Sequence, residues 1–131
     1  MVYLDATALV KLAVHEPESG ALISRLMTAS DARVTSALSL VEVPRALRRA
    51  YPYQHLLERA DNVLRAVEMI DIDSEILEMA EAVEPRGLHS LDAIHLATAV
   101  LLGPRETVIV TYDARLADAA REAGFVVESP A

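Results

Sequence analysis

Val2-Tyr3-Leu4-Asp5-Ala6-Thr7-Ala8-Leu9-Val10-Lys11-Leu12 places three apolar, strand-forming residues before an acid and a helical run. A strand covered by helices on both faces reads as an unbroken apolar run. An aspartate directly after it can cap the helix that follows. The unit recurs far downstream, where Thr107-Val108-Ile109-Val110-Thr111 leads through Tyr112 to Asp113 and the helical pattern Ala114–Ala123. Strands alternating with helices of this length make βαβ units and a parallel sheet.

Between these two units the alternation continues. Ala6–Val14 predicts a short helix, Glu16-Pro17-Glu18 breaks the chain, and Ser19 is a candidate cap for a helix to about Ala29. Arg33–Thr35 and Glu68–Ile72 read as weaker strands, separated by helices over Ser39–Tyr51 and Tyr53–Val67. Asp73 or Ser74 caps a helix through Val83, and Ser90 caps one through Leu102. Gly124 occupies the C′ position of the last helix, before a final strand at Phe125–Val127. The expectation is one α/β domain over residues 1–131. It is a three-layer α/β/α sandwich around a mostly parallel five-stranded sheet, with the first and fourth strands central.

Composition narrows the function. Hydrophobic residues make up 53% of the chain and mean hydropathy is +0.26, so apolar residues are in surplus for a dense core or an interface. Charges interrupt every apolar run before the roughly 18 residues that span a bilayer, so no membrane partner is expected. Met1 directly before a strand leaves no room for a signal peptide. The absence of cysteine excludes disulfides and thiolate metal sites, which fits a cytoplasmic protein. A net charge of −8 argues against a broad basic surface for nucleic acid. It leaves open an RNA gripped by a few arginines and a bound cation. Lys11 is the only lysine, and arginine suits bidentate phosphate contacts. Arg45, Arg48 and Arg49 form a basic cluster, and Arg86 lies in the loop over residues 84–89. Arg45 and Arg86 are the candidate RNA or partner contacts, although a solvated surface accounts for each equally.

Four acids stand out. Asp5 and Asp113 directly follow strands, where sites form in open parallel sheets, although capping alone accounts for an acid at either position. Asp92 lies in the first turn of a helix apolar almost all the way round, Leu91–Val100. The helix dipole favours an acid there by about 0.3–1 kcal/mol, whereas burying an unpartnered carboxylate costs several kcal/mol. Asp92 therefore needs a cation, a hydrogen-bond network or solvent at a cleft. Glu42 is a lone acid in Ser39-Leu40-Val41-Glu42-Val43. Pro44 beside it predicts either a later helix start or a bend. If the four converge, two carboxylates about 4 Å apart repel by roughly 4 kcal/mol at an effective dielectric of 20. Such a cluster takes up protons or a cation, and hard oxygen donors without cysteine select Mg²⁺ or Mn²⁺. His89, Asp92 and His95 do not form a metal triad, because residues six apart on a helix face different ways. His95 reads as a packed or hydrogen-bonded helix residue.

These segments together resemble a known family. Tyr3–Leu12, Ser39–Val43, Leu88–Ala99 and Val110–Gly124 are similar, in order and spacing, to the four motifs of PIN-domain nucleases, particularly the toxin half of VapBC toxin–antitoxin pairs. The resemblance implies Mg²⁺- or Mn²⁺-dependent endonucleolytic cleavage of RNA, frequent homodimers, and neutralisation by a cognate antitoxin. It carries Asp5, Glu42, Asp92 and Asp113 over as catalytic and metal-holding acids, with Thr7 and Thr111 as supporting hydroxyls. Ala6 departs from the pattern, since many relatives have a hydroxyl there. The surplus of apolar residues predicts a groove along the Ala6–Val14, Ser19–Ala29 and Ser39–Tyr51 helices. The acid pocket beside it would attract a basic, amphipathic antitoxin tail.

Two other readings remain. Haloacid-dehalogenase-like phosphatases also place an aspartate after strand one, but they have another acid where this chain has Thr7. They also need a downstream lysine that this chain lacks, as do receiver domains. A catalytically inactive PIN interaction module is the non-enzyme alternative, and retention of all four acids argues against it.

Overall fold

The computed structural model describes residues 1–131 throughout. Its centre is Val2–Leu4 (β1), three residues with no appreciable exposure. Alternate side chains of a strand point to opposite faces, so Val2 and Leu4 enter one core and Tyr3 the other. The strands that follow are Arg33–Ser36 (β2), Glu68–Ile70 (β3), Val108–Val110 (β4) and Val126–Glu128 (β5). They form one all-parallel sheet in the order β3-β2-β1-β4-β5. The two continuous apolar runs, β1 and β4, lie side by side with Leu4 opposite Val110.

Seven helices cover the faces. Ala6–Ala13 (α1), Ser19–Met27 (α2), Ser39–Ala50 (α3) and Gln54–Arg65 (α4) bury Leu9, Leu22, Val43, Leu47 and Leu64 against Val2, Leu4 and Val110. Ser90–Leu102 (α6) and Ala114–Glu122 (α7) bury Leu96, Ala99, Leu116 and Ala120 against Tyr3, Val34 and Ile109. Ser74–Ala82 (α5) packs on α6 through Ile76. The result is the expected three-layer sandwich, and no helix is long and apolar enough to cross a membrane.

Local chemistry sets the helix ends, not always through the residues that the sequence suggests. Asp73 caps α5, accepting the Ile76 N–H at 2.9 Å. Ser19 does not cap α2. Its hydroxyl is buried, where it accepts the Glu16 N–H and lies 2.7 Å from the Lys11 carbonyl and 3.0 Å from that of Val14. It thereby fastens the α1–α2 connection instead. Ser90 does not cap α6 either, because His89 takes the extended cap conformation and makes no side-chain capping bond. Gly124 closes α7 with φ +94°, a region that disfavours side chains bearing a Cβ. Pro44 does not delay α3. The helix starts at Ser39, and Pro44 deprives only the Leu40 carbonyl of its donor, on an exposed turn.

The chain order turns back between β1 and β4: β2 and β3 extend to one side, and β4 and β5 to the other. In open α/β sheets such a switch point leaves a crevice beyond the carboxyl ends of the strands.

Candidate active site

Asp5 lies at that crevice, immediately after β1 and almost wholly buried. Its carboxylate is fixed from three sides. Oδ1 accepts the Thr7 hydroxyl at 2.6 Å and the Ala8 N–H at 3.0 Å, and Oδ2 accepts the Thr111 hydroxyl at 2.5 Å. Asp5 therefore caps α1. Burial pushes the Asp5 carboxyl above the ordinary range, against the opposing pull of His95, Thr111, Thr7 and the Ala8 N–H. Thr7 also accepts the Tyr112 N–H, and Thr111 accepts the Asp113 N–H. The two threonines thus lock the ends of β1 and β4 together.

Asp113 follows β4 and caps α7, with Oδ1 accepting the N–H groups of Arg115 and Leu116 at 2.8 and 3.1 Å. Asp92, in the first turn of α6, is partly buried and makes no hydrogen bond. Its carboxyl lies above the ordinary range, chiefly through burial. The charge of Asp113 adds to this, His95 opposes it, and Asp5 and Glu42 add less. The fields of the other three acids therefore all reach Asp92. As the side chains are oriented, no three of these acids and histidines close around a single point.

Glu42 is not an ordinary solvated helix residue. Its Oε1 lies 2.5 Å from His95 Nε2, and the side chain is only 22% exposed. His95 is buried in α6, and its Nδ1 lies 2.7 Å from the Tyr3 hydroxyl. Sequence reasoning left His95 outside the site. The available signal was a polar ring within a largely apolar helix, since a buried polar group requires a partner.

Glu42 also borders a groove of about 690 Å³ that runs between α1 and α3, with Thr7, Val10, Val41 and Arg45 in its walls. Val41 and Leu91 stand roughly half exposed at its edge. The groove differs from expectation in leaving out α2, whose exposed Ile23 and Met27 do not line it. Arg45 stands in the groove wall without an ion-pair partner. Arg86 is not brought to the acids. It lines a separate cleft of about 620 Å³ between α5 and α6, with its guanidinium almost fully exposed. His89 faces Arg115 at 3.1 Å, away from His95.

The PIN domain family model matches residues 2–122. The chain is similar to Ribonuclease VapC47 of Mycobacterium tuberculosis, with 39% identity over 133 residues covering 99% of this chain and 97% of that one. Among solved structures it resembles VapC20 of Mycobacterium tuberculosis, described as a sarcin–ricin-loop-cleaving toxin. The TM-score is 0.77 at 18% identity, covering 99% of this chain and 100% of that one. It also resembles a chain of a toxin–antitoxin complex from Klebsiella pneumoniae, with a TM-score of 0.74 at 23% identity, covering 100% and 98%. An all-parallel sheet in this order, aspartates after β1 and β4, and near-complete alignment with a VapC ribonuclease lead to one assignment: the chain belongs to the PIN-domain family, in its VapC group.

Proposed function

We propose that the chain is a divalent-metal-dependent endoribonuclease, the toxin of a toxin–antitoxin pair, acting as a single nuclease domain over residues 1–131. Asp5, Glu42, Asp92 and Asp113 form its acidic site. The observation that carries this reading is Asp92. It is an unbonded, partly buried carboxylate in the combined field of three others, on a chain with the VapC pattern. The donor set suits Mg²⁺ or Mn²⁺, being hard, anionic and free of sulfur. Mg²⁺ takes one or two carboxylates and keeps several waters, so it does not need three side chains already closed around a point. Asp5 and Asp92 are assigned as direct ligands, with Glu42 and Asp113 acting through water. Such an ion, when bound, supplies Lewis-acid polarisation of the phosphodiester and acidifies a water.

The chain's own residues do the rest. Thr7, Thr111 and the Ala8 N–H keep Asp5 from rotating, which preorganises one wall of the site. Glu42 has Oε1 occupied by His95, which leaves Oε2 to accept a proton from the attacking water. That water bonds to phosphorus as the 3′-oxygen departs and takes a proton from solvent, leaving a 5′-phosphate and a 3′-hydroxyl, while Glu42 later returns its proton to solvent. No 2′-hydroxyl takes part, so RNA preference rests on the shape of the substrate. Arg45, in the groove wall, is placed to contact a phosphate. A cytoplasmic homodimer inhibited by an antitoxin with a basic, amphipathic tail completes the proposal. It draws support from family membership and from likeness to a chain of the Klebsiella toxin–antitoxin complex.

Purified chain, freed of any partner, should cleave structured RNA with Mg²⁺ or Mn²⁺ and stop when a chelator is added. Cleavage indifferent to chelation would overturn the metal requirement. Hydrolysis of a small phosphate monoester without RNA cleavage would point to a phosphatase instead.

A further inference from the structure

The acidic site is joined to the hydrophobic core by one continuous polar path. The Tyr3 hydroxyl, on the β1 side chain that enters the α6–α7 core, lies 2.7 Å from His95 Nδ1, and His95 Nε2 lies 2.5 Å from Glu42 Oε1. Tyr3 shows no exposure and His95 only 2%, and the two rings meet edge to face at 5.8 Å. A carboxylate can only accept, so the proton on this contact belongs to Nε2. In the neutral ring Nδ1 is then an acceptor, and the Tyr3 hydroxyl donates to it. Tyr3 thereby selects the tautomer that presents a donor to Glu42, as second-shell partners fix imidazoles elsewhere.

Packing alone does not require this arrangement. Around His95, α6 buries Ala93, Leu96, Ala97 and Ala99 with one hydroxyl, Thr98, which lies 2.7 Å from the Ile94 carbonyl, and an apolar side chain would fill the space of His95 without needing two partners. Glu42, in contrast, needs restraint. It has three rotatable bonds and sits between exposed Val41 and solvent-facing Arg45 on α3. Without a tether it would sample water, away from Asp92. Asp5 is held by three donors of its own and Asp113 by two backbone N–H groups. Among the acids that make hydrogen bonds, Glu42 depends on a side chain from another layer of the sandwich.

We propose that His95 is a positioning residue, fixed by the Tyr3 hydroxyl, that holds the Glu42 carboxylate in the acidic site. The proposal rests on the acidic-site reading above and assigns His95 no contact with RNA or metal.

Three measurements on the full, partner-free chain test it. Long-range ¹H–¹⁵N spectra without metal should show a His95 proton on Nε2, and a ring protonated on Nδ1 alone overturns the proposal. In RNA cleavage, His95→Leu should lower kcat about tenfold to a hundredfold at unchanged KM. His95→Gln, which can still donate to Glu42, should recover most of that loss. Equal loss in both variants at wild-type melting temperature, or no loss in either, overturns it. Mn²⁺ titration completes a double-mutant cycle: His95→Leu should weaken binding in the wild type and add nothing in Glu42→Ala. An equal weakening in both backgrounds would show that His95 does not act through Glu42. Should His95→Leu fail to fold, Tyr3→Phe keeps the ring and removes only the hydroxyl. It should release the tautomer and lower kcat in the same sense, and an unchanged tautomer and kcat count against the proposal. Asp92→Asn separates the two levels of argument. If it cleaves normally, the acidic site itself is misassigned; if it is inactive while both His95 variants behave as wild type, only the present inference falls.

Discussion

Asp92 sets a stability problem that its neighbours make worse. Burial, then Asp113, Asp5 and Glu42, raise its carboxyl in the folded chain, and burial does the same to Asp5. A carboxyl raised on folding holds its proton more tightly in the native state than in the unfolded one. Its contribution is fully present below the ordinary carboxylate range and is lost as pH rises through the raised value. Glu18, lowered by its hydrogen bond to Lys11, works in the opposite sense. The difference between wild type and Asp92→Asn therefore isolates the effect. Without metal, Asp92→Asn should match or exceed wild type in melting temperature at neutral pH, with the gap closing as pH falls toward 4. It should abolish cleavage and reduce the stabilisation given by Mn²⁺. A lower melting temperature at neutral pH would make Asp92 a structural group. The acids were legible in the sequence because each interrupts an apolar run or ends one. The restraint on Glu42 was not, since its partner lies on another helix and no local pattern links Ser39–Val43 to the face of α6 that carries His95.

At the scale of elements, one device serves two purposes. Asp5, Asp73 and Asp113 all cap helices through Oδ1, yet only Asp5 and Asp113 lie beyond inner strands at the switch point. Asp73→Ala should cost about 1 kcal/mol of stability and leave RNA cleavage unchanged. Asp113→Asn should keep the cap, since asparagine is an equally good one, and lose cleavage. Denaturant melts beside cleavage rates check both. If Asp113→Asn cleaves at the wild-type rate, that residue is a cap and nothing more. Helices and strands were legible from their periods, and β1 and β4 were legible as inner strands from their unbroken apolar runs. Ser19 and Ser90 misled because a serine before an apolar helix is a cap by statistics alone. Whether it caps depends on where the helical backbone begins. Both helices begin at the serine itself, after Glu18 and His89, which puts both serines inside their helices.

At the scale of the whole molecule, a chain of net charge −8 carries a groove with apolar walls that Glu42 borders. A partner segment entering it gains from two sources. Apolar burial contributes most of the affinity, and a guanidinium or ammonium beside the carboxylates offsets their mutual repulsion. Co-expression with the product of a neighbouring gene should give a stable complex with cleavage suppressed. Raising salt should weaken the complex without dissolving it, because screening acts on the charges alone. A complex that cleaves as fast as the free chain would exclude occlusion of the site. The surplus of apolar residues announced such a surface, but which helices line it depends on how α2 turns away, and composition carries no record of that. The order of the strands also governs time. β1 is made first and finds its inner neighbour β4 only after Val108–Val110 exist, and Asp5 acquires its Thr111 hydroxyl later still. A ribosome building this chain therefore carries no joined β1–β4 end, and on the reading proposed above no assembled acidic site, until Thr111 has cleared the exit tunnel. The fold delays the hazard until synthesis has passed that point.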